Sequence, residues 1–247
     1  MENVFENIIS RLLQKGYHIY LITSRFSHDL PTQQQHKNLT IYRVGTGRKS
    51  FFFAAFWMGV KVLWKYPHIH LIHSSTYTSA FPASVLGKLF HKKTILTVHE
   101  IFGKLWKLFK PWYIRWGYQL FERLCFLIPH NAYHCVSLYT LNSLRLYYGI
   151  SDAKLHLIYN GVDTEFWNAH HVSEATKRQR RTTYGWENKF LMLYYGHSGK
   201  SKGIDYLVQA LPALLQQHPD AVLIFNLIPA KRDKAIKATL RQQAQKS

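Results

Sequence analysis

The sequence has few cysteines and few acidic residues, and each scarcity excludes a class of protein. Its 247 residues include two cysteines, Cys125 and Cys135, which exclude a disulfide scaffold and a cysteine-rich zinc site and suit a reducing compartment. Asp and Glu number 13 against 32 Lys and Arg, so the formal net charge is +19. This excess favours anionic partners, such as nucleic acid, acidic lipid or phosphorylated ligands.

The sequence also lacks a long apolar run, and its first residues do not have the pattern of a signal peptide. Its longest apolar stretch, 51–64, has 14 residues and contains Lys61, whereas a membrane-spanning helix needs about 20 apolar residues. The first residues carry neither a basic n-region nor an apolar h-region, so no signal peptide is predicted. With 47% hydrophobic and 18% charged residues, the composition is that of a globular protein. We therefore expect a cytoplasmic protein.

Apolar runs typical of strands alternate with segments of helical periodicity. Residues 4–13 predict a first helix, and residues 17–23 predict a buried strand. Further predicted strands are 39–44, 69–74, 94–99, 132–137, 155–159, 190–195 and 221–227. Further predicted helices are 52–65, 78–90, 112–127, 139–147, 204–217 and 230–245. This alternation predicts an α/β architecture in which helices cover parallel sheets.

A polar and basic segment, 168–186, interrupts the alternation and contains the basic run 177–181. We interpret it as a linker or surface helix between a first unit, 1–167, and a second unit, 187–247. The run alone would also suit a nucleic-acid patch, but a solvated helix face is the favoured interpretation of one short run. The sequence has no helix-turn-helix, RNP or zinc pattern, so we expect no nucleic-acid partner.

A turn rich in glycine and lysine follows the strand at 190–195 and precedes the helix at 204–217. Glycines at such a turn let backbone amides approach a phosphate, and the helix N-terminus adds positive potential. The candidate phosphate ligands are Gly196, His197, Lys200, Lys202 and Gly203. The spacing fits neither a P-loop nor G-x-G-x-x-G, so an ordinary glycine-rich surface turn explains these residues equally well.

Thr97-Val-His-Glu100 lies at the predicted end of an apolar strand, where ligands of open parallel sheets bind. An imidazole there can donate a hydrogen bond to a sugar hydroxyl or a phosphate. His99 is therefore the leading candidate among 15 histidines, although a histidine taken at random is more often structural or simply exposed. A second turn, at Asn160-Gly161, is predicted to have positive φ.

Residues 101–128 combine nine aromatic side chains with five basic residues and one acid, Glu122. Trp and Tyr favour the membrane–water interface, and Lys and Arg bind anionic headgroups. The candidate membrane contacts are Trp106, Lys107, Lys110, Trp112, Arg115 and Trp116. A helix packed on a core with its basic residues outward explains the same pattern about equally well.

Taken in order, these segments resemble the family 4 glycosyltransferases of the GT-B fold. Residues 16–23 resemble the family's GH-x-V-x-V-x-T strand, and residues 97–100 resemble its T-x-H-[DE] segment. Residues 158–163 resemble the element that closes the family's first domain, and residues 196–203 resemble its G-R-x-x-x-x-K-G turn. The most specific part is the pair Asn-Gly-Val-Asp and Lys-Gly, which lie about 40 residues apart.

The resemblance implies transfer of a sugar from a nucleotide-sugar donor to a sugar or lipid-linked acceptor, with retention of anomeric configuration. It implies two Rossmann-like domains facing each other across a cleft, the first for the acceptor and the second for the donor. His99 would lie near the transferred sugar, and Lys202 would hold the donor pyrophosphate. The other implied acceptor or cleft residues are Glu100, Ser137, Asn160 and Gly161. No metal or other cofactor is implied, and we find no Asp-x-Asp pair to hold a metal.

The sequence departs from the family pattern in three places. The arginine after the first glycine is His197 here, and a neutral imidazole cannot make the bidentate phosphate contact of arginine, for which Lys200 would partly substitute. The family's first strand would precede residue 1, and its acidic donor-binding segment would follow residue 247. We therefore expect an incomplete second domain and a fragment with weak or no activity alone. The alternative is a non-catalytic phosphate- or membrane-binding module on the same fold. The basic and aromatic surface also predicts a peripheral position on the inner membrane face.

Overall fold

The computed structural model describes residues 2–197 and 202–228, which belong to two compact units, Met1–Val162 and Asp163–Ser247. Strands of the first unit are β1 (Ile19–Ser24), β2 (Gln33–His36), β3 (Leu39–Val44), β4 (Leu71–Ser75), β5 (Lys93–Val98), β6 (Ala132–Cys135) and β7 (Leu155–Leu157). Its helices are α1 (Glu2–Gln14), α2 (Arg48–Lys65), α3 (Ala80–Leu89), α4 (Trp106–Phe109), α5 (Trp112–Leu127) and α6 (Leu138–Tyr148). Single 3₁₀ turns lie at Gly103–Leu105 and Asp152–Lys154.

The described part of the second unit contains fewer elements. A 3₁₀ turn at Ala169–His171 is followed by α7 (Glu174–Tyr184), β8 (Phe190–His197), α8 (Ile204–Gln217) and β9 (Ala221–Ile228). Strands β8 and β9 pair in parallel. The helix predicted at 230–245 lies outside the described residues. The domain limits expected from the sequence, with a linker at 168–186, stay a prediction.

The first unit contains two sheets. The larger has the order β4-β5-β6-β7 and is parallel throughout. The smaller has the order β1-β3-β2, in which β1 and β3 are parallel and β2 is antiparallel to β3. The predicted α/β class with parallel sheets is confirmed, and β2 is the exception that the sequence did not predict. Its residues, Gln33–His36, have no apolar alternation, so only the backbone pairing identifies them as a strand.

The hydrophobic core of the first unit lies between the larger sheet and helices α3, α5 and α6. Alternate residues of β5, Leu96 and Val98, enter it beside Tyr133 and Cys135 of β6. The helices contribute Ala80, Cys125, Phe126 and Leu144. Both cysteines are free and buried. The opposite face of β5 carries Ile95 and Thr97, which pair with His73 of β4 and His134 of β6. We call this side of the sheet the polar face, after its Thr and His side chains.

Helix boundaries follow from local capping. Helix α2 begins at Arg48, four residues before the predicted start, because the Ser50 hydroxyl accepts the backbone N–H of Gly47 at 3.0 Å and satisfies a donor of the first turn. Helix α7, within the basic segment, is capped by Ser173, whose hydroxyl accepts the N–H of Thr176, and it ends at Gly185 in the left-handed conformation. Nearly all of its side chains are exposed.

Candidate functional site

His99 lies where the carboxyl ends of β4 and β5 meet. It directly follows β5, and its backbone N–H donates to the hydroxyl of Thr76, the residue after β4, at 3.2 Å. The half-buried imidazole has the ring of Phe5, from α1, at a centroid distance of 6.5 Å. The structure therefore places His99 at the edge of the parallel sheet where ligands of α/β folds bind.

A chain of hydrogen bonds crosses the polar face of the sheet beside this position. The Thr97 hydroxyl lies 2.7 Å from Nε2 of His73 and 3.1 Å from Nδ1 of His134. Nε2 of His134 lies 2.9 Å from the carbonyl oxygen of Ile158. Because a carbonyl only accepts, His134 carries its proton on Nε2 and accepts from Thr97, whose oxygen accepts from His73.

One imidazole of this chain, His73, is held neutral. Burial, followed by the nearby His134, lowers the pKa of His73 to about 4, so this imidazole is uncharged at neutral pH. Phe5 covers the ring of His73 at a centroid distance of 5.1 Å. The polar face therefore carries a hydrogen-bonded network that leads from β4 to the segment after β7.

The loop that follows His99 is held by a single buried carboxylate. Glu122 of α5 is 1% exposed. It accepts hydrogen bonds from five donors: the backbone N–H groups of Phe102 and Gly103, indole Nε1 of Trp106, and the hydroxyls of Tyr77 and Tyr148. The amide of Gly103 and the indole of Trp106 each lie 2.8 Å from it. A carboxylate with this many donors is fully compensated for its burial.

The two tyrosines at Glu122 remain protonated donors. Burial raises the pKa of Tyr77 and of Tyr148 far above the ordinary value, and the neighbouring Glu122 raises both further. The Tyr77 hydroxyl also lies 2.9 Å from the carbonyl oxygen of Glu100. Glu122 thus ties α5 to the chain on the C-terminal side of His99. The sequence analysis did not select Glu122, although it is the sole acid in 101–128.

The remaining acceptor-side candidates have different environments. Ser137 is the N-cap of α6, and its hydroxyl accepts the N–H of Thr140 at 3.2 Å, which is a structural role. The Glu100 side chain is exposed. Asn160 and Gly161 are also exposed, and the predicted positive-φ turn is wrong: neither residue has a positive φ, and the segment after β7 continues without a regular turn.

The structure corrects one of the predicted membrane contacts. Trp106 is only 9% exposed, because its indole points inward to Glu122, so it cannot contact a membrane. Lys107 is exposed, and Lys110 lies over the ring of Tyr118 at 4.5 Å. Arg115 is half-buried.

Helix α5 exposes a continuous apolar stripe. Trp112 and Trp116 are 78% and 66% exposed, and they are followed at four-residue spacing by the exposed Leu120 and Leu124. Residues four apart share one face of a helix, so these side chains form a row. We call this row the α5 stripe. Nothing in the described residues of the first unit covers it, since α5 is buried only at Glu122, Cys125 and Phe126.

The predicted phosphate turn lies in the second unit. Gly196, near the end of β8, has φ +141°, a conformation that side-chain-bearing residues rarely adopt. Gly203 has φ +69° and is the N-cap of α8, and Lys202 beside it is exposed. Lys200 lies outside the described residues, as do the other residues of 198–201. The predicted strand before the turn and helix after it are both present.

The described residues were also compared with the patterns of a metal site and of a membrane-spanning helix. Among residues 2–197 and 202–228, no group of three or more His, Cys, Asp or Glu side chains is arranged to bind a metal ion. Over the same residues, no helix combines the length and the apolar character needed to cross a bilayer.

Comparison with known proteins identifies the family to which the chain belongs. The model of Glycosyltransferase Family 4 matches residues 1–166. Spore coat protein SA of Bacillus subtilis (strain 168) is 31% identical over 75 residues, a match that covers 30% of this chain and 20% of that protein.

Solved structures are similar in fold. A glycosyltransferase from Rickettsia africae ESF-5 is 15% identical, with a TM-score of 0.73 over 99% of this chain and 61% of that enzyme. Anabaena HepE in complex with UDP is 15% identical, with a TM-score of 0.62 over 83% of this chain and 52% of HepE. The chain thus spans less than two thirds of the length of each. These matches confirm the predicted GT-B-like architecture with Rossmann-like domains.

Proposed function

Because the chain belongs to glycosyltransferase family 4, we propose that it takes part in transferring a sugar from a nucleotide-sugar donor to an acceptor. The observation that carries this proposal is the family match across residues 1–166, which includes His99 and the segment leading to Asn160 and Gly161. HepE, which shares the fold, was solved with UDP, and this supports a uridine nucleotide as the first donor to test.

We assign donor binding to the second unit. Gly196 and Gly203 both have positive φ, no side chain caps the start of α8 at Gly203, and Lys202 adds a cation at that helix N-terminus. Helix N-termini attract phosphate because their first amides are unpaired and the helix dipole is positive there. Negative charge grows on the leaving nucleotide during transfer, so a fixed cation lowers the barrier. His197 and Lys200 belong to the same proposed turn.

We assign acceptor binding and the reacting sugar to the first unit. His99 is half-buried at the carboxyl edge of the sheet, beside the hydrogen-bonded network of His73, Thr97 and His134. From there its imidazole can donate a hydrogen bond to a hydroxyl of the transferred sugar. Glu100, Asn160 and Gly161 lie on segments that leave the same edge. Ser137 caps α6, so its proposed contribution is to position the start of that helix at the site.

The first test of the proposal is nucleotide binding, because it needs no acceptor. Titration of UDP into the chain by calorimetry is expected to give saturable binding, and Lys202→Ala is expected to weaken it about tenfold, the worth of one charge-assisted contact. Lys189→Ala removes another exposed cation of the second unit and is the matched control. Equal affinities for the two variants would contradict the role of Lys202.

Turnover separates an enzyme from a binding module. With a panel of UDP-sugars, we expect UDP release that depends on an added acceptor, weak for this chain alone, and an anomeric signal by NMR that shows retention. His99→Ala is expected to reduce turnover while leaving the UDP affinity unchanged. UDP binding without any transfer would favour the alternative, a non-catalytic phosphate-binding module. Absence of UDP binding at millimolar concentration would contradict the donor assignment.

We further propose that the first unit contacts the cytoplasmic face of an anionic membrane, which would suit a lipid-linked acceptor. The α5 stripe supports this, because Trp112 and Trp116 are strongly exposed and Lys107, Lys110 and Arg115 lie close by in sequence. Exposed tryptophans with adjacent cations are typical of surfaces that enter the headgroup region. Flotation with phosphatidylcholine vesicles, with and without phosphatidylglycerol, is the test. Equal recovery with both vesicle types would contradict it.

A further inference from the structure

A cavity of about 330 Å³ opens beside the α5 stripe, between the loop after His99, helix α5 and the end of α6. Its lining includes Lys104, Arg123, Trp116, Leu120 and Tyr147, together with the buried Glu122. We propose that this cavity binds the phosphate of an anionic lipid whose acyl chains lie along the α5 stripe. This inference rests on the proposed membrane contact and adds a specific headgroup site to it.

The charge of the cavity fits a phosphate. Lys104 reaches it from the 3₁₀ turn before α4, and Arg123 reaches it from α5. Both side chains are exposed, and neither forms an ion pair with a carboxylate in the part of the chain that the structure describes. Two cations from different elements can bind one phosphate from two sides, and arginine supplies a planar fork for its oxygens.

Glu122 forms no ion pair with these cations among the residues that the structure describes. Its two oxygens already accept from two backbone amides, an indole and two tyrosine hydroxyls, so its hydrogen-bonding capacity is filled from the protein side. The carboxylate therefore holds the wall of the cavity in place. Lys104 and Arg123 remain available to a ligand.

The cavity is continuous with the apolar surface. Trp116 and Leu120 line the cavity and are also members of the α5 stripe. Gly103, with φ +48°, brings the loop close to Tyr147: a Cβ atom at Gly103 would lie 3.4 Å from the tyrosine ring. A molecule with a phosphate at one end and an apolar body at the other would satisfy both parts at once. Free phosphate would use only the cations.

The test compares two anionic lipids at equal surface charge: phosphatidic acid, which presents a phosphate, and oleic acid, which presents a carboxylate. Each is mixed into phosphatidylcholine vesicles, and binding of the chain is measured by flotation across vesicle concentrations. We expect the chain to prefer phosphatidic acid about tenfold, because a two-cation phosphate contact exceeds the general attraction to a negative surface.

Two double variants with the same loss of charge separate the site from the surface. Lys104→Ala/Arg123→Ala removes the cavity cations and is expected to abolish the preference for phosphatidic acid. Lys107→Ala/Lys110→Ala removes two nearby cations outside the cavity, and it is expected to weaken binding to both vesicles while keeping the preference. Thermal unfolding by circular dichroism checks that both variants fold, which we expect since Lys104 and Arg123 are exposed.

Other outcomes overturn the inference in distinguishable ways. If both variants keep the same preference, or if the native chain shows no preference, the cavity is not a phosphate site and the membrane contact still stands. If the native chain binds neither vesicle, the membrane contact fails as well, while UDP binding remains an independent test of the glycosyltransferase proposal. If inorganic phosphate in solution binds through Lys104 and Arg123 but vesicles do not, the ligand is not a lipid.

Discussion

Helices α5 and α7 both carry cations and contain one glutamate each, yet the two glutamates have opposite environments. Glu122 of α5 is buried and accepts five hydrogen bonds, whereas Glu174 of α7 is exposed and pairs at 2.7 Å with Lys177, three residues later. The first is a long-range tie between elements. The second is a local helix pair of the kind that contributes little to stability.

The cations in and beside the two helices differ in whether the protein itself supplies their hydrogen-bond partners. On α7, Arg181 donates to the carbonyl oxygens of Trp186 and Lys189, so it fastens the turn that follows the helix. At α5, Lys104 and Arg123 line a cavity without a carboxylate partner among the described residues, next to exposed tryptophans. From this comparison we expect a basic segment to form a binding surface only where its cations lack internal partners and adjoin apolar surface.

The largest expected effect is on folding stability, and it follows from removing the buried glutamate of α5. Replacing Glu122 by alanine leaves two amides, an indole and two hydroxyls without their acceptor in a buried place, and we expect a loss on the order of 5 kcal/mol in the free energy of unfolding. Glu174→Ala removes an exposed pair and is expected to cost under about 0.5 kcal/mol. Urea denaturation of both variants measures the difference. A loss below about 1 kcal/mol for Glu122→Ala would contradict the role of this carboxylate as a tie.

The second prediction concerns the histidines that flank the two helices. His130, three residues after α5, is fully buried, and burial lowers its pKa to about 4. The unfolded chain therefore takes up a proton near pH 6.5 before the folded chain does, so stability falls as the pH drops from about 6.5 to about 4, by up to about 3 kcal/mol. His170 and His171, which precede α7, are exposed.

Denaturation midpoints across this pH range measure the loss. His130→Gln is expected to flatten the pH dependence, even though it lowers stability at neutral pH, since glutamine does not titrate. His170→Gln is the matched exposed control and is expected to leave the curve unchanged. A curve for His130→Gln as steep as that of the native chain would show that other groups, with His73 foremost, carry the acid sensitivity.

Sequence patterns predicted the elements that have strong periodicity and clear ends. Helices α5 and α8 and strand β3 have the predicted bounds, because their apolar spacing and flanking breakers are local properties. Strand β2 was missed, because its pairing with β3 depends on the backbone and not on its polar side chains. The position of His99 was predictable because a histidine after an apolar strand lies at the sheet edge whatever surrounds it.

The role of Glu122 was not predictable from the sequence, because its donors come from distant parts of the chain: Tyr77 lies 45 residues before it and Tyr148 lies 26 after it. The same long-range contact explains why the three tryptophans differ in exposure. Trp106 has the same basic and aromatic neighbours in sequence as Trp112 and Trp116, but it is drawn inward by Glu122, while the other two remain exposed. Composition predicted a segment that contacts a membrane, and tertiary contacts decide which of its tryptophans are exposed.

The third prediction tests the α5 stripe directly. Trp112→Ser/Trp116→Ser removes two exposed indoles and is expected to reduce the affinity for vesicles containing phosphatidylglycerol by at least about tenfold, because each aromatic ring buries apolar surface in the headgroup region. Stability is expected to change by less than about 1 kcal/mol, since neither side chain is buried. Vesicle titration and urea denaturation measure the two quantities. Unchanged vesicle affinity would show that the stripe faces something other than a membrane.

The smallest effect is expected from the basic run itself. Lys177→Ala/Arg178→Ala removes two cations from α7, and we expect less than about a twofold change in affinity for the same vesicles, because no exposed aromatic row accompanies these charges. The charge removed equals that of Lys107→Ala/Lys110→Ala, so net charge cannot explain a difference between the two variants. If the α7 variant lost as much affinity as Lys107→Ala/Lys110→Ala, attraction would depend on the overall charge of +19, and the distinction between the two regions would not hold.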